Sequence, residues 1–253
     1  MYFRNSFLPP MNLVIDIGNT QVKVAVFEQT ILLLKDQFQQ NELISGLLDI
    51  TEQYDIKNGI ISHVAGLDQD MLEEIKSLVG NLTELNHETK VPFFNNYLTP
   101  KTLGVDRLAL IAAANAQFPH KNVLVIDAGS CITYDFLDDL NTYNGGSISP
   151  GIEMRYKAVN HYTANLPLLN KAEVIPSLGN STENAIHNGI LNGVIKEIEG
   201  VISQYLAKNQ KLTVVLTGGD TIFLAKNLKS SIFAIPNFLL EGLNSILIHN
   251  IDE

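Results

Sequence analysis

The amino-acid sequence predicts an α/β protein built from two similar domains, and three observations carry that reading. The segment VIDIGNT at 14–20 returns as VIDAGSC at 125–131, which sets Asp16 and Asp127 111 residues apart. Each copy sits in the same plan: an apolar strand, an acidic turn, two further strands, then helices. The chain has 253 residues, 45% of them hydrophobic, enough for two cores of roughly 120 residues each.

The elements follow in order. Residues 12–17 form a short apolar run that contains Asp16, and Gly18-Asn19 is a turn signal. Val22, Val24 and Val26 then alternate with Lys23, Ala25 and Phe27, the period-two pattern of a strand, and 31–34 reads as a third strand of an antiparallel meander. A helix near 41–53, a strand at 57–62 and a helix at 68–79 come next. Segment 87–103 holds Pro92 and Pro100 and little periodicity, so it reads as a long loop of the kind that often carries function. Gly104 ends it, and 105–118 is a helix rich in Leu and Ala. The plan then restarts with an apolar strand at 122–126, the turn Asp127-Ala128-Gly129-Ser130, and strands at 132–136 and 143–149. Helices are expected from about 152 and over 182–206. A strand at 212–217 runs into Gly218-Gly219-Asp220, and a last helix covers about 237–248. The domains expected are 11–117 and 118–253. Residues 1–10, with Pro9-Pro10 ahead of Met11, read as an extension outside the fold, with translation effectively starting at Met11.

Composition narrows the class. Charged residues make up 17%, and no low-complexity run breaks the pattern. A net charge of −10 repels phosphate backbones and argues against a nucleic-acid partner. The same charge means that any anionic nucleotide must be met by local donors and a cation. A single cysteine, Cys131, rules out an intrachain disulfide and fits a reducing compartment. The six histidines show no zinc-type spacing. No apolar run reaches the roughly 18 residues of a membrane span, and the N-terminus lacks the apolar centre of a signal peptide. A soluble, cytoplasmic protein with no membrane partner is expected.

Five motifs carry candidate chemistry. In Asp16-Ile17-Gly18-Asn19-Thr20, backbone N–H groups and the Thr20 hydroxyl could donate to phosphate, and Asp16 could hold a metal ion; a plain hairpin with an Asx-type turn explains the same residues. Asp127-Ala128-Gly129-Ser130 repeats that chemistry, and a matching second copy favours function: two facing acidic turns can hold a metal–nucleotide complex. Gly218-Gly219-Asp220 could make room for the adenosine part of a nucleotide or simply turn the chain. Gly104-Val105-Asp106-Arg107 opens a helix. There an acid is favoured by the helix dipole and by capping, yet Asp106 could also accept a hydroxyl proton and Arg107 could clamp a carboxylate. Gly145-Gly146-Ser147-Ile148-Ser149-Pro150-Gly151 implies close backbone approach. Thr182, after Gly179-Asn180-Ser181, reads as a helix N-cap unless a ligand lies beside it.

Taken together, DIGNT at 16–20, LGVDR at 103–107, DAGS at 127–130, GGSISPG at 145–151, TANLP at 163–167, GNST at 179–182 and TGG at 217–219 resemble type III pantothenate kinases. The resemblance runs from Met11 to near the C-terminus. It places the chain in the superfamily of actin, sugar kinases and heat-shock ATPases, with two ribonuclease-H-like domains and a nucleotide cleft between them. It implies ATP-dependent phosphorylation of pantothenate, the first step of coenzyme A synthesis, by a homodimer. It assigns Asp16, Ile17, Gly18, Asn19, Thr20, Gln21, Val22, Lys23 and Ser130 to ATP. Tyr97, Gly104, Val105, Asp106, Arg107 and Thr182 fall to pantothenate. Asp106 is the implied general base, and Asp127 the ligand of a monovalent cation, K⁺ or NH₄⁺. Mg²⁺ comes with ATP, with Asp16 near its site. The family usually has DAGT where this chain has DAGS; serine keeps the hydroxyl and loses a methyl. The alternative is a catalytically silent nucleotide-binding regulator of the same fold.

Overall fold

A computed structural model describes residues 11–18, 21–63, 67–209 and 211–251. The chain divides into two compact units. The first holds the described residues up to Gln117 together with those from Phe238 onward; the second spans Phe118–Asn237.

The first unit opens with strands β1 (Met11–Ile17), β2 (Val22–Glu28) and β3 (Ile31–Phe38), then α1 (Leu43–Gln53), β4 (Ile56–His63), α2 (Gln69–Leu78) and β5 (Asn81–Glu84). The sheet order is β3-β2-β1-β4-β5, with β1–β2 and β2–β3 antiparallel and β1–β4 and β4–β5 parallel. All seven residues of β1 are buried, because it lies at the sheet centre. Its Leu13 and Ile15 pack with Val24 and Val26 of β2 and with Leu43, Leu47 and Ile50 of α1. Each such fully buried aliphatic side chain contributes about 1.5–3 kcal/mol. The segment beyond carries a two-residue strand β6 (Phe94–Asn95) and a 3₁₀ turn at Pro100–Thr102, before α3 (Val105–Gln117).

The second unit repeats the plan. It holds β7 (Asn122–Ala128), β8 (Cys131–Leu137), β9 (Thr142–Pro150), α4 (Ile152–His161), α5 (Thr182–Lys208), β10 (Leu212–Thr217), α6 (Thr221–Asn227) and β11 (Phe233–Ala234). Its strands run β9-β8-β7-β10-β11, which repeats the first sheet's order element for element. Here too the acidic strand is central, antiparallel to the next strand and parallel to the one reached through helices. Leu124, Ile126 and Tyr134 pack on Ile190, Val194 and Ile198 of α5.

The last helix, α7 (Phe238–Ile251), belongs with the first unit rather than with the domain 118–253 expected from sequence. The physical reason lies in α3, whose Ala109, Ala112 and Ala113 are small and buried and let α7 lie close along it. A buried polar bridge adds direction: Asn12 Nδ2 on β1 donates to Asn244 Oδ1 at 3.0 Å, and Asn244 Nδ2 donates to the Gln29 carbonyl at 2.7 Å. Sequence did not reveal β5, α6 or β11. All three are short, and β5 and β11 carry no fully buried residue, so neither periodicity nor an apolar run marks the strands.

Candidate active site

In the first unit the site is built on the end of β1. Asp16 is nearly buried, at 5% exposure, and pairs in register with Lys23 on β2 and Ser62 on β4. Ser62 is itself buried, and its Oγ donates to Asp16 Oδ1 at 2.7 Å. Burial pushes the Asp16 carboxyl above its ordinary value; the Ser62 hydrogen bond and the Lys23 ammonium oppose that, and the charge of Asp106 adds to it. A hard cation would relieve both the buried charge and its repulsion from Asp106, so the all-oxygen donor set fits Mg²⁺. The turn after β1 is closed by Gly18 N–H donating to the Gln21 carbonyl at 3.2 Å. Asn19 and Thr20 lie outside the described residues. Ile17 and Val22 bury their side chains in the core, so these two positions offer only backbone groups to a ligand.

Asp106 reaches this neighbourhood from the first turn of α3. The Gly104 carbonyl accepts from the N–H groups of Arg107 at 3.1 Å and Leu108 at 3.4 Å, which starts the helix. Asp106 Oδ1 accepts from the Arg107 N–H at 2.9 Å, so the residue is inside the helix rather than its cap. A Cβ on Gly104 would fall 2.3 Å from Asp106 Oδ1; only glycine leaves the carboxylate where it is. Arg107 is 4% exposed. Its guanidinium lies 5.4 Å from the centre of the Tyr97 ring, and Nη1 donates to the Tyr97 hydroxyl at 3.5 Å. The loop bearing Tyr97 is pinned by Tyr97 N–H donating to Asn95 Oδ1 at 3.0 Å and by Asn115 Nδ2 donating to the Pro92 carbonyl at 2.8 Å. Tyr97, Gly104, Asp106 and Arg107 thus form one group, with the Asp106 charge acting on Asp16.

In the second unit the corresponding acid is Asp127, whose register partners are Thr133 on β8 and Thr217 on β10. Gly129 N–H donates to the Cys131 carbonyl at 2.9 Å and closes the hairpin, leaving Ser130 exposed. The Gly218-Gly219-Asp220 motif is laid against this turn: Asp220 N–H donates to the Ala128 carbonyl at 3.0 Å. Gly218 has φ +94°, and a Cβ there would lie 2.3 Å from Asp127 Oδ1. The room that glycine makes is therefore taken first by the acid itself. Gly151 N–H donates to the Ser130 carbonyl at 3.1 Å, which brings the GGSISPG segment to the same turn.

Beyond it, Arg155 Nη2 bonds Glu197 Oε2 at 2.6 Å and Ser149 Oγ at 2.9 Å, and the Tyr134 hydroxyl donates to Glu197 Oε1 at 2.9 Å. Burial would raise the Glu197 carboxyl, but the bonds from Arg155, Ser149 and Tyr134 outweigh it and hold it below its ordinary value. Thr182 opens α5 in this unit, but the cap is its neighbour: Ser181 Oγ accepts from Asn184 N–H at 3.2 Å. Ser62, Thr133 and the Arg155–Glu197 pair escaped the sequence reading. Ser62 ended an expected strand, and its pairing with the Asp16 strand would have flagged it.

The fold is that of the actin-like sugar-kinase class. A Balamuthia mandrillaris glucokinase solved with glucose aligns with TM-score 0.52 at 10% identity, over 97% of this chain and 95% of that one. A Campylobacter jejuni protein described as a Baf family transcriptional activator aligns with TM-score 0.60 at 22% identity, over 95% and 100%. Both likenesses concern the fold alone. The family model for type III pantothenate kinase matches residues 12–204. A Christiangramia forsetii type III pantothenate kinase is 46% identical over 241 residues, covering 95% of this chain and 99% of that protein. The chain belongs to the type III pantothenate kinase family.

Proposed function

We propose that this chain transfers the γ-phosphoryl group of ATP to the primary hydroxyl of pantothenate, giving 4′-phosphopantothenate and ADP at the entry to coenzyme A synthesis. The observation that carries the reading is the group formed by Asp106, Arg107 and Tyr97, with the Asp106 charge felt at Asp16. Asp106 accepts the proton as the hydroxyl oxygen bonds to phosphorus and the bond to the ADP oxygen breaks. Arg107, held by the Tyr97 ring, binds the pantothenate carboxylate, and Gly104, Val105 and Thr182 complete the substrate's contacts. The turn Asp16–Lys23 and Ser130 bind ATP through backbone N–H groups and hydroxyls. Mg²⁺ near Asp16 supplies charge neutralisation at the phosphates when bound, and a K⁺ or NH₄⁺ ion at Asp127 adds to it. Both acidic turns offer oxygen donors, which suits these hard cations.

A coupled ADP-release assay across pantothenate, sugars and polyphosphate tests the reading, with a gel shift on DNA run beside it. ADP release specific to pantothenate and no shift is the expected result; release driven by a sugar would overturn the substrate, and a shift without release would overturn the enzyme. Arg107→Lys keeps the charge but loses the planar fork. It is expected to raise the KM for pantothenate about 10–100-fold, the scale of a charge-assisted hydrogen bond, with the KM for ATP near the parent value.

The loop beside α3 carries Phe94 and Leu98 at 74% and 97% exposure, an apolar surface that a second copy would cover. The active species is therefore a homodimer. Sedimentation at micromolar concentration should give twice the chain mass, and a fully active monomer would contradict it. Among the described residues no helix is long and apolar enough to cross a membrane. With Cys131 free, the cytoplasm is the compartment we assign.

A further inference from the structure

The two units carry the same three register positions around their acids: a hydroxyl residue is kept on one side, serine in one unit and threonine in the other, and the chemistry changes on the other side. In the first, Asp16 lies between Lys23 and Ser62; in the second, Asp127 lies between Thr133 and Thr217. Residues directly opposite on neighbouring strands share a face of the sheet, so the comparison is position for position. Where the first unit places an ammonium beside its acid, the second places a neutral hydroxyl. That hydroxyl is unusual: Thr133 is only 9% exposed, and its Oγ1 is buried with no hydrogen-bond partner. A buried hydroxyl left unsatisfied is costly and rare in folded proteins, and a bound ion is one way of satisfying it. The acid beside it is also crowded into place, since Gly218 alone leaves space next to Asp127 Oδ1.

We propose that Thr133 is a ligand of the monovalent cation, which stands in the second unit where the Lys23 ammonium stands in the first. This rests on the reading that Asp127 holds such a cation. It adds a residue to that site and explains why one acidic turn takes a free monovalent ion where the other has a lysine ammonium. A singly charged ion matches the charge it replaces, and an uncharged hydroxyl oxygen suits the K⁺ coordination sphere, as carbonyl and hydroxyl oxygens do for other hard cations.

The test uses the full chain and two variants, titrated with KCl against choline chloride at constant ionic strength. The readouts are the melting temperature of the nucleotide-free protein and ADP release. Thr133→Val removes the hydroxyl and keeps the shape. In choline chloride it should melt at or above the parent, since the unsatisfied hydroxyl is gone, and it should need about tenfold more K⁺ for half-maximal stabilisation and half-maximal activity. Thr133→Lys supplies the ammonium internally, and should turn over in choline chloride and respond little to K⁺. A parent protein that responds to K⁺ while a folded Thr133→Val titrates identically overturns the ligand role of Thr133. A parent indifferent to K⁺ in both readouts overturns the cation reading itself, and this proposal with it. Should Thr133→Lys fail to fold, the Thr133→Val titration alone decides.

Discussion

Asp106→Asn should lose about 10²–10⁴-fold in kcat, the contribution of a positioned general base, while ATP binds and the melting temperature stays close to the parent. The structure explains why the two effects separate. Asp106 is not the helix cap; α3 starts from the Gly104 carbonyl, and the local role of the carboxylate is to accept the Arg107 N–H. An asparagine Oδ1 can keep that bond but cannot take a substrate proton. If Asp106 were only structural, the variant would keep both its fold and its turnover. Stopped-flow or steady-state kcat and a melting curve on one preparation distinguish the outcomes. Near-normal kcat in a folded variant would remove Asp106 from the chemistry.

The second large effect is expected at Asp127. Asp127→Asn should weaken K⁺ activation by roughly 10²-fold, the scale of about 2–5 kcal/mol found when one member of a close charge pair is removed. In sodium or choline salts the parent should be slow already, so the variant should differ from it chiefly at high K⁺. The Asp127 side chain is set by Gly218, whose φ of +94° and missing Cβ keep the turn clear, and asparagine fits the same space. An Asp127→Asn protein that retains the parent's K⁺ titration would move the cation elsewhere.

The parts of this molecule that local pattern controls were legible in its sequence. The repeat of an apolar strand, an Asp and a Gly marked both central strands, and the register of the structure places Asp16 and Asp127 at equivalent points. The Leu/Ala helix after Gly104 and the long helix from Thr182 were equally plain, since each runs for several turns. What escaped was set by partners distant in sequence. Ser62 meets Asp16 across 46 residues, and the Asn12–Asn244 bridge that claims α7 for the first unit spans 232. Nothing in 238–251 read alone says which core it covers. Thr133 looked like an ordinary strand residue, because its unsatisfied hydroxyl shows only once its surroundings are packed. The glycine pair at 218–219 was noticed as space for a ligand. Its first duty, clearing Asp127, depends on a strand pairing between residues about ninety positions apart.

The most direct measurement is the identity of the product from purified chain, ATP, Mg²⁺, K⁺ and pantothenate, read by mass spectrometry alongside ADP. On the proposed reaction, pantothenate gains one phosphoryl group on its primary hydroxyl, one ADP appears for each product formed, and both vanish together in Asp106→Asn. ADP that forms at the same rate without pantothenate, or pantothenate recovered unmodified while ATP is consumed, would contradict it.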